Sequence, residues 1–166
     1  MTVGTIETKG TRLFFLNGPG SPQDILKVAC PTGIEGLGGA GSQIATTCLD
    51  SQEMEYKRGM KDPSQINLPI NFIPRSASHQ ALEALDESGE VVDWMIVFSD
   101  QDANPTAFAD VDGVNNIVSP GATSVRFQGY VADLNINVQT NEIVRATITI
   151  QRTGAKEWAW PTADLD

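Results

Sequence analysis

The fold is decided by the stretch Leu134-Asn-Ile-Asn-Val138, Gln139-Thr-Asn-Glu142 and Val144-Arg-Ala-Thr-Ile-Thr-Ile150. Its apolar side chains fall on even-numbered positions on both sides of the break, with Asn, Thr and Arg between them. A period of two directs one set of side chains to a buried face and the other to solvent. The break itself has the residue types of a hairpin loop. The stretch therefore predicts an antiparallel ribbon with one wet face.

The same ribbon changes phase upstream, because Val125 and Phe127 are apolar at odd-numbered positions. A slip of one residue turns every later side chain to the opposite face. The strand therefore needs a bulge or a bend, and Gly129 is the position predicted for it.

The rest of the pattern predicts a mainly β protein, an antiparallel sandwich or barrel with one flanking helix. Alternating or apolar runs indicate about seven or eight strands. The helix is predicted over Ser76–Ser88, where a narrow apolar stripe has helical spacing and Gly89 follows as a C-cap. Residues 50–63 are charged and poor in apolar side chains, so we interpret them as a long exposed loop. The clearest other strand candidates are 12–16, 25–30, 66–72 and 91–99, with a weaker one at 45–49.

Two of these strands have predictable places in the sheet. Pro69 cannot donate to a ladder, which favours an edge position or an unpaired side for the strand 66–72. Val91–Ser99 is apolar on both faces, which is typical of a central, buried strand.

A length of 166 residues predicts one domain with a real core, spanning 1–166. Residues 1–10 are small and polar and are interpreted as a flexible N-terminal segment, and residues 155–166 as a C-terminal tail. No signal peptide is visible, and the longest apolar cluster is too short to span a bilayer. We expect a soluble protein that is made in the cytoplasm.

The charge balance argues against nucleic-acid binding. The chain has 21 acidic and 11 basic residues, a formal charge of −10. A DNA or RNA binder needs clustered Lys and Arg to displace counterions. An acidic protein repels nucleic acid instead, so affinity for DNA or RNA is not expected.

The sequence contains one nucleotide-binding motif and two fragments of calcium-binding loops, but the neighbouring residues that such sites require are missing. Gly36-Leu-Gly-Gly-Ala-Gly41 matches a dinucleotide fingerprint, but no helix is predicted after it and no parallel sheet follows. Asp100-Gln-Asp-Ala-Asn104 and Asp110-Val-Asp-Gly113 resemble pieces of calcium loops, without the glutamate that closes an EF-hand. We interpret the first pattern as a loop and the other two as solvated acidic loops, so neither cofactor nor metal is expected.

No catalytic residue is predicted. His79 is the sole histidine and is interpreted as a helix-surface residue, since no nucleophile elbow accompanies it. Cys30 and Cys48 are interpreted as two reduced, mostly buried thiols, because nothing indicates an oxidising compartment. Trp158 and Trp160 fit two interpretations equally well, a contact site or a cap on the core.

Several stretches together resemble the tail tube proteins of long-tailed bacteriophages. They are Gly36-Leu-Gly-Gly39, then Thr46-Thr-Cys-Leu-Asp-Ser51, then Glu55-Tyr-Lys-Arg-Gly-Met-Lys-Asp62. An alternating strand, a helix and a closing ribbon follow in the family's order, so the resemblance covers about 33–158. The chain departs from the pattern at Cys48 and beyond Trp158.

The resemblance implies a structural, non-enzymatic virion protein. It would form hexameric rings that stack into a tail tube, and DNA would pass through the lumen without specific binding. Its partners would be further copies of itself and the tape measure, tail-tip and tail-terminator proteins, with no membrane. The charged segment resembles the family's loop between rings, and its candidate contact residues are Glu53, Glu55, Tyr56, Lys57, Arg58, Lys61 and Asp62.

Two other interpretations stay open from the sequence. A β-sandwich binding module would share the strand count. Another phage-type ring protein, such as a tail terminator or a secretion-tube relative, would share the hexameric habit. An end-capping ring does not polymerise, so filament formation separates it from a tube subunit.

Overall fold

The computed structural model describes residues 9–17, 23–47, 52–100, 104–109, 115–118 and 121–160. Within these ranges lie ten strands and one helix, so the protein is mainly β, as predicted. In chain order they are β1 (Arg12–Asn17), β2 (Asp24–Lys27), β3 (Gly41–Ala45), β4 (Tyr56–Lys61), β5 (Gln65–Asn71), α1 (Ala77–Ser88), β6 (Val92–Val97), β7 (Thr106–Ala109), β8 (Asn115–Val118), β9 (Ser124–Asn137) and β10 (Arg145–Ala159).

The main sheet has six antiparallel strands in the order β2-β1-β6-β9-β10-β5. Every residue of β6 is buried, and β6 lies between β1 and β9. This confirms the central strand that the two-faced apolar pattern predicts. The other strands form the hairpins β3–β4 and β7–β8.

The sheet closes on itself through the segment that follows β2. The N–H groups of Thr32 and Glu35 donate to the carbonyls of Pro69 and Asn67, at 2.9 and 3.0 Å. Pro69 thus lies on the outermost strand of the sheet, where only its carbonyl is needed. The barrel-like architecture is confirmed. The strand β5 is the last of the six, as its proline predicts, and residues 31–35 hydrogen-bond along its outer side.

Two apolar clusters lie on opposite faces of the sheet. The larger takes residues from β1, β5, β6, β9, β10 and α1, with Trp94 fully buried between Phe15 and Phe127. The smaller joins β1 and β6 to Ile117 of β8 and to Ala122. The strands β1 and β6 therefore have both faces covered, which explains their nearly continuous apolar sequences.

The helix begins and ends where its sequence predicts. Ser76 occupies the N-cap position, and Gly89 is left-handed at φ 68°, with its N–H donating to the carbonyl of Leu85. The interpretation of His79 as a surface residue is wrong, because its side chain is 1 % exposed. Its Nδ1 accepts the Ile73 N–H at 3.0 Å, so Nε2 carries the proton that is donated to the Ala29 carbonyl at 2.8 Å. His79 thus ties α1 to the chain after β2.

The phase change in β9 falls at Ala132 and not at Gly129. Thr149 pairs with Asp133 while Ile150 pairs with Val131, which leaves Ala132 as the extra residue of a bulge. Gly129 serves a close approach instead, since a Cβ there would lie 2.7 Å from the Gln151 carbonyl oxygen. The prediction of the bulge at Gly129 is therefore wrong, because a bulge can form at a residue other than glycine.

The predicted loop over 50–63 is wrong in its second half. Tyr56–Lys61 forms strand β4 and pairs with Gly41–Ala45. Between the two strands, 46–47 and 52–55 are without regular structure and 48–51 lie outside the described residues. The predicted tail over 155–166 is also wrong at its start, because β10 runs to Ala159. Residues 1–8 and 161–166, which hold most of the predicted N-terminal segment and the end of the tail, lie outside the described residues.

Candidate assembly surfaces

The hairpin β3–β4, described over 41–47 and 52–61, is a two-stranded sheet separate from the barrel and is here called the arm. Apart from Gly41 and Gly59, every described residue of the arm is exposed. A two-stranded hairpin is marginally stable in water without a face to pack against. The arm therefore lacks a core of its own and presents both of its faces to whatever surrounds it.

The predicted contact residues all lie on this arm or directly after it. Glu53 and Glu55 are in the connection and Asp62 follows β4. The strand β4 holds the other four, and its period of two divides Lys57 from Tyr56 and Arg58. Within the described residues, none of the six charged side chains forms an ion pair. The structure thus groups these residues on or directly after one hairpin but spreads them over two faces.

The arm also exposes large apolar side chains, although most of its sequence is charged or polar. Ile44, Met54, Tyr56 and Met60 are 53 %, 70 %, 54 % and 88 % exposed. Sequence reasoning missed Ile44 and Met60 as contact residues because each stands among polar neighbours. Such a cluster of large exposed apolar residues is typical of an interaction surface.

The glycine-rich segment before β3 packs closely against Ser64 and Gln65 at the start of β5. This contact is here called the base of the arm. Gly36 has φ 98°, and a Cβ there would clash with the Gln65 carbonyl oxygen. The Ser64 hydroxyl lies 2.5 Å and 2.6 Å from the carbonyl oxygens of Gly36 and Gly38. The glycines therefore let two backbone segments touch, and the segment continues into β3, where a dinucleotide site requires a helix.

Arg152 fastens this base to β10. It is 5 % exposed, and its guanidinium donates to the carbonyls of Gly38 at 2.6 Å and Ser64 at 3.3 Å. Desolvation by burial lowers the pKa of Arg152, although an arginine stays protonated at neutral pH. The buried charge is satisfied by backbone carbonyls and holds the arm against the barrel.

A second exposed segment is the connection between β9 and β10, residues 138–144, here called the tip. Ile136, Val138 and Ile143 on or beside it are 42 %, 72 % and 58 % exposed. Glu142 and Arg145 lie 3.9 Å apart, and their side chains are 47 % and 62 % exposed. The apolar alternation that buries Ala146 and Ile148 thus continues past the core into solvent.

The wet face of the sheet is almost uncharged. The buried positions of β10 confirm the alternation, since Ala146, Ile148 and Ile150 are inside. Asp133 and Arg145 are the only charged groups among the outward residues of β5, β9 and β10 in this part of the sheet. The other outward residues are amides, hydroxyls and one proline, namely Gln65, Asn67, Pro69, Asn71, Tyr130, Asn135, Asn137, Thr147, Thr149 and Gln151.

An aromatic ladder lies at the other end of β10. Phe98, Trp158 and Trp160 are stacked with ring centroids 6.1 and 5.1 Å apart, and Lys156 lies 5.9 Å from the Trp158 ring. Trp158 and Trp160 are 41 % and 66 % exposed. They form a surface feature, which favours the interpretation as a contact site over that of a core cap.

The acidic loops are described only in part. The carboxylate of Asp100 accepts the N–H and the hydroxyl of Thr123, whereas 101–103 and 110–114 lie outside the described residues. In the part of the chain that the structure describes, no three His, Cys, Asp or Glu side chains form a group that could hold a metal ion.

Cys30 is a free, exposed thiol, contrary to the buried one predicted, and Cys48 is not described. No described helix is long and apolar enough to cross a membrane.

Comparison with known proteins agrees with this architecture. The chain is 29 % identical over 150 residues to Structural protein 3 of Pseudomonas phage PAJU2, which covers 90 % of each chain. The fold of this chain is similar to that of the SPP1 tail tube, with a TM-score of 0.66 and 11 % sequence identity. The match covers 95 % of this chain and 82 % of that one. It is also similar to a chain in the tail of a gene transfer agent particle refined with C6 symmetry. That match has a TM-score of 0.62 and 12 % identity, and it covers 89 % and 95 % of the two chains.

The family model for the phage tail tube, lambda-like, matches residues 4–162, which is nearly the whole chain. This confirms the resemblance carried by the segments around Gly36, Thr46 and Tyr56. The chain belongs to the lambda-like family of phage tail tube proteins and is a structural component of the virion.

Proposed function

We propose that this tail tube protein assembles with itself into hexameric rings that stack into a tube. The observation that carries the proposal is the arm, a separate hairpin whose two faces are both exposed and partly apolar. Fully burying a Met or Ile side chain is favourable by about 1.5–3 kcal/mol. Contacts with other copies of the protein would bury the apolar side chains of the arm, which the barrel leaves exposed. The C6 symmetry of the gene transfer agent tail supports six copies in each ring.

The charged residues of the arm give the contact its specificity. Glu53, Glu55, Lys57, Arg58, Lys61 and Asp62 mix both signs and have no ion-pair partners among the described residues. Mixed charges fix the register of two surfaces, because a shifted alignment sets like charges against each other. Together with Tyr56, these residues form the contact between one ring and the next.

The wet face of β5, β10 and β9 lines the lumen. Its amides and hydroxyls can hydrogen-bond with water, and its single Arg145 gives DNA no row of cations to bind. The net charge of −10 adds a weak repulsion, so DNA passes without specific binding. The tape measure, tail-tip and tail-terminator proteins are the other partners. The chain acts as one domain, without catalysis and without a cofactor.

Electron microscopy of the purified protein in negative stain tests the proposal. Uniform hollow tubes with six-fold end views are the expected result, at high concentration or after addition of tail-tip complexes. Single rings that never stack would identify an end-capping ring instead. Monomers under both conditions would refute self-assembly.

A further inference from the structure

A groove runs between the base of the arm and the end of β10. It has a volume of about 730 Å³ and is open to solvent. It is lined by Met60 and Lys61 from the end of β4 and by Ala155, Lys156 and Trp158 from β10. The charged groups that line it are Lys61, Asp62, Arg152 and Lys156. It is thus an apolar groove with an excess of positive charge.

The groove owes its shape to an irregularity in the β9–β10 ribbon. Thr153 pairs with Gln128 and Glu157 with Arg126, so Gly154, Ala155 and Lys156 all stand opposite Phe127. Gly154 is left-handed at φ 73°, which turns the chain out of the ladder. The Lys156 ammonium is held 2.6 Å from the Leu37 carbonyl oxygen, and this fixes the wall of the groove.

The tip lies at the opposite end of the same ribbon. Asn137 pairs with Arg145 beside the tip, whereas Ser124 pairs with Ala159 beyond the groove. These pairs are separated by thirteen positions of β9, which is roughly 40 Å of extended strand. A contact between a tip and a groove can therefore join only different copies. Since the two surfaces differ, the contact is head-to-tail and repeats without limit.

We propose that the groove receives the tip of a second copy in the neighbouring ring. Val138 and Ile143 would cover Met60 and Trp158, which are 88 % and 41 % exposed in the single chain. The charges also match. Glu142 would meet the excess of positive charge from Lys61 and Lys156, and Arg145 would meet Asp62. The inference rests on the stacking of rings under the proposed function, and it names the surface that the base of the arm helps to build.

Cross-linking in assembled tubes tests the contact directly. The variant Val138→Cys/Ala155→Cys is prepared in a Cys30→Ser/Cys48→Ser background and treated with a short bis-maleimide. The expected product is a ladder of dimers and higher multimers on a denaturing gel, because each copy carries one thiol at the tip and one in the groove. Either single cysteine alone should give no ladder. The control pair Val138→Cys/Glu87→Cys places the second thiol on the exposed side of α1 and should also give none.

The outcomes separate the two proposals. If neither the original chain nor the Cys30→Ser/Cys48→Ser protein forms tubes, self-assembly and the tip–groove contact are both refuted. If only the Cys30→Ser/Cys48→Ser protein fails to form tubes, the charge exchange in the original chain decides the contact. If tubes form but the Val138→Cys/Ala155→Cys pair gives no ladder, the tip–groove contact is refuted while the proposed function stands.

A charge exchange gives an independent test. Glu142→Lys alone and Lys61→Glu alone should each shorten the tubes at least tenfold, and their combination should restore length; Lys156 is left unchanged because its ammonium is bound to the Leu37 carbonyl. Val91→Asp is the matched surface control, since Val91 is 53 % exposed and lies outside the groove and the tip. Tubes of normal length in both charge variants, or no rescue by the combination, would overturn the pairing.

Discussion

Two hairpins of this protein place similar side chains in opposite environments. In the β9–β10 ribbon the apolar residues Ala146, Ile148 and Ile150 are buried under one face of the sheet. In the arm, Ile44 and Met60 project into solvent. The first hairpin is stabilised by its own barrel, and the second has no core within the chain. The difference shows which part of the sequence encodes the fold of one subunit and which part is free to encode contacts between subunits.

A matched pair of substitutions measures this difference, and it should give the largest effect on the subunit. Ile148→Ala should lower the free energy of unfolding by about 2–5 kcal/mol, because it leaves a cavity in the core. Ile44→Ala should change it by less than about 0.5 kcal/mol, since a surface side chain loses little. Chemical denaturation of both unassembled variants is the measurement. Equal losses would mean that the arm is packed within the subunit.

His79 provides the next test, because it connects the helix to the barrel rather than to solvent. His79→Ala removes the partners of the Ile73 N–H and the Ala29 carbonyl, both of which its ring satisfies. Losing two part-buried hydrogen bonds should cost about 2 kcal/mol of unfolding free energy. Glu83→Ala on the exposed side of α1 is the control, with a loss below about 0.5 kcal/mol. A loss no larger than that of the control would show that α1 is held by its apolar stripe alone.

Arg152 tests how the arm is attached, and a smaller, local effect is expected. Arg152→Met keeps the apolar stem but removes the donors to Gly38 and Ser64. The loss should be about 1–2 kcal/mol, concentrated at the base of the arm. Hydrogen exchange there should therefore accelerate about tenfold, while the amides of β6 stay protected. The control Arg145→Met removes an exposed arginine, and uniform acceleration across the barrel would contradict a local role for Arg152.

The sequence predicts the barrel better than the arm for a physical reason. Ile148 and Leu68 alternate with polar residues because one face of their strands is buried by the same chain, and that burial produces the period of two. Around β4, the residues Lys57, Arg58 and Met60 show no such period, because neither face is buried within the subunit. A strand with no buried face therefore lacks the alternating pattern and is predicted as a loop from its sequence. The bulge at Ala132 was missed for a related reason, since alternation reveals that a phase changes but not which residue is looped out.

Contact residues follow the same logic. The charged candidates from Glu53 to Asp62 could be named because of the family resemblance, and in the structure they lie on the arm or directly after it. Val138 and Trp158 could not be paired from the sequence, since they lie at opposite ends of a ribbon and meet only between copies. The signal was present in the alternation of Ile136 and Val138, which continues beyond the length that the core can cover.

The smallest effect on the subunit should accompany the loss of stacking. Reversing three charges of the arm with Lys57→Glu/Arg58→Glu/Lys61→Glu removes no contact with the barrel core, so the free energy of unfolding should change by about 0.5 kcal/mol or less. The new carboxylates would oppose acidic groups on the next ring, so tubes should be replaced by single rings or monomers. Negative-stain microscopy and chemical denaturation of the same preparation give both readouts. Lys27→Glu on the outer strand β2 serves as a charge-reversal control, with tubes retained. Tubes of normal length in the triple variant would mean that the apolar side chains of the arm, Ile44, Met54, Tyr56 and Met60, are enough to join the rings, and that its charges contribute nothing to the contact.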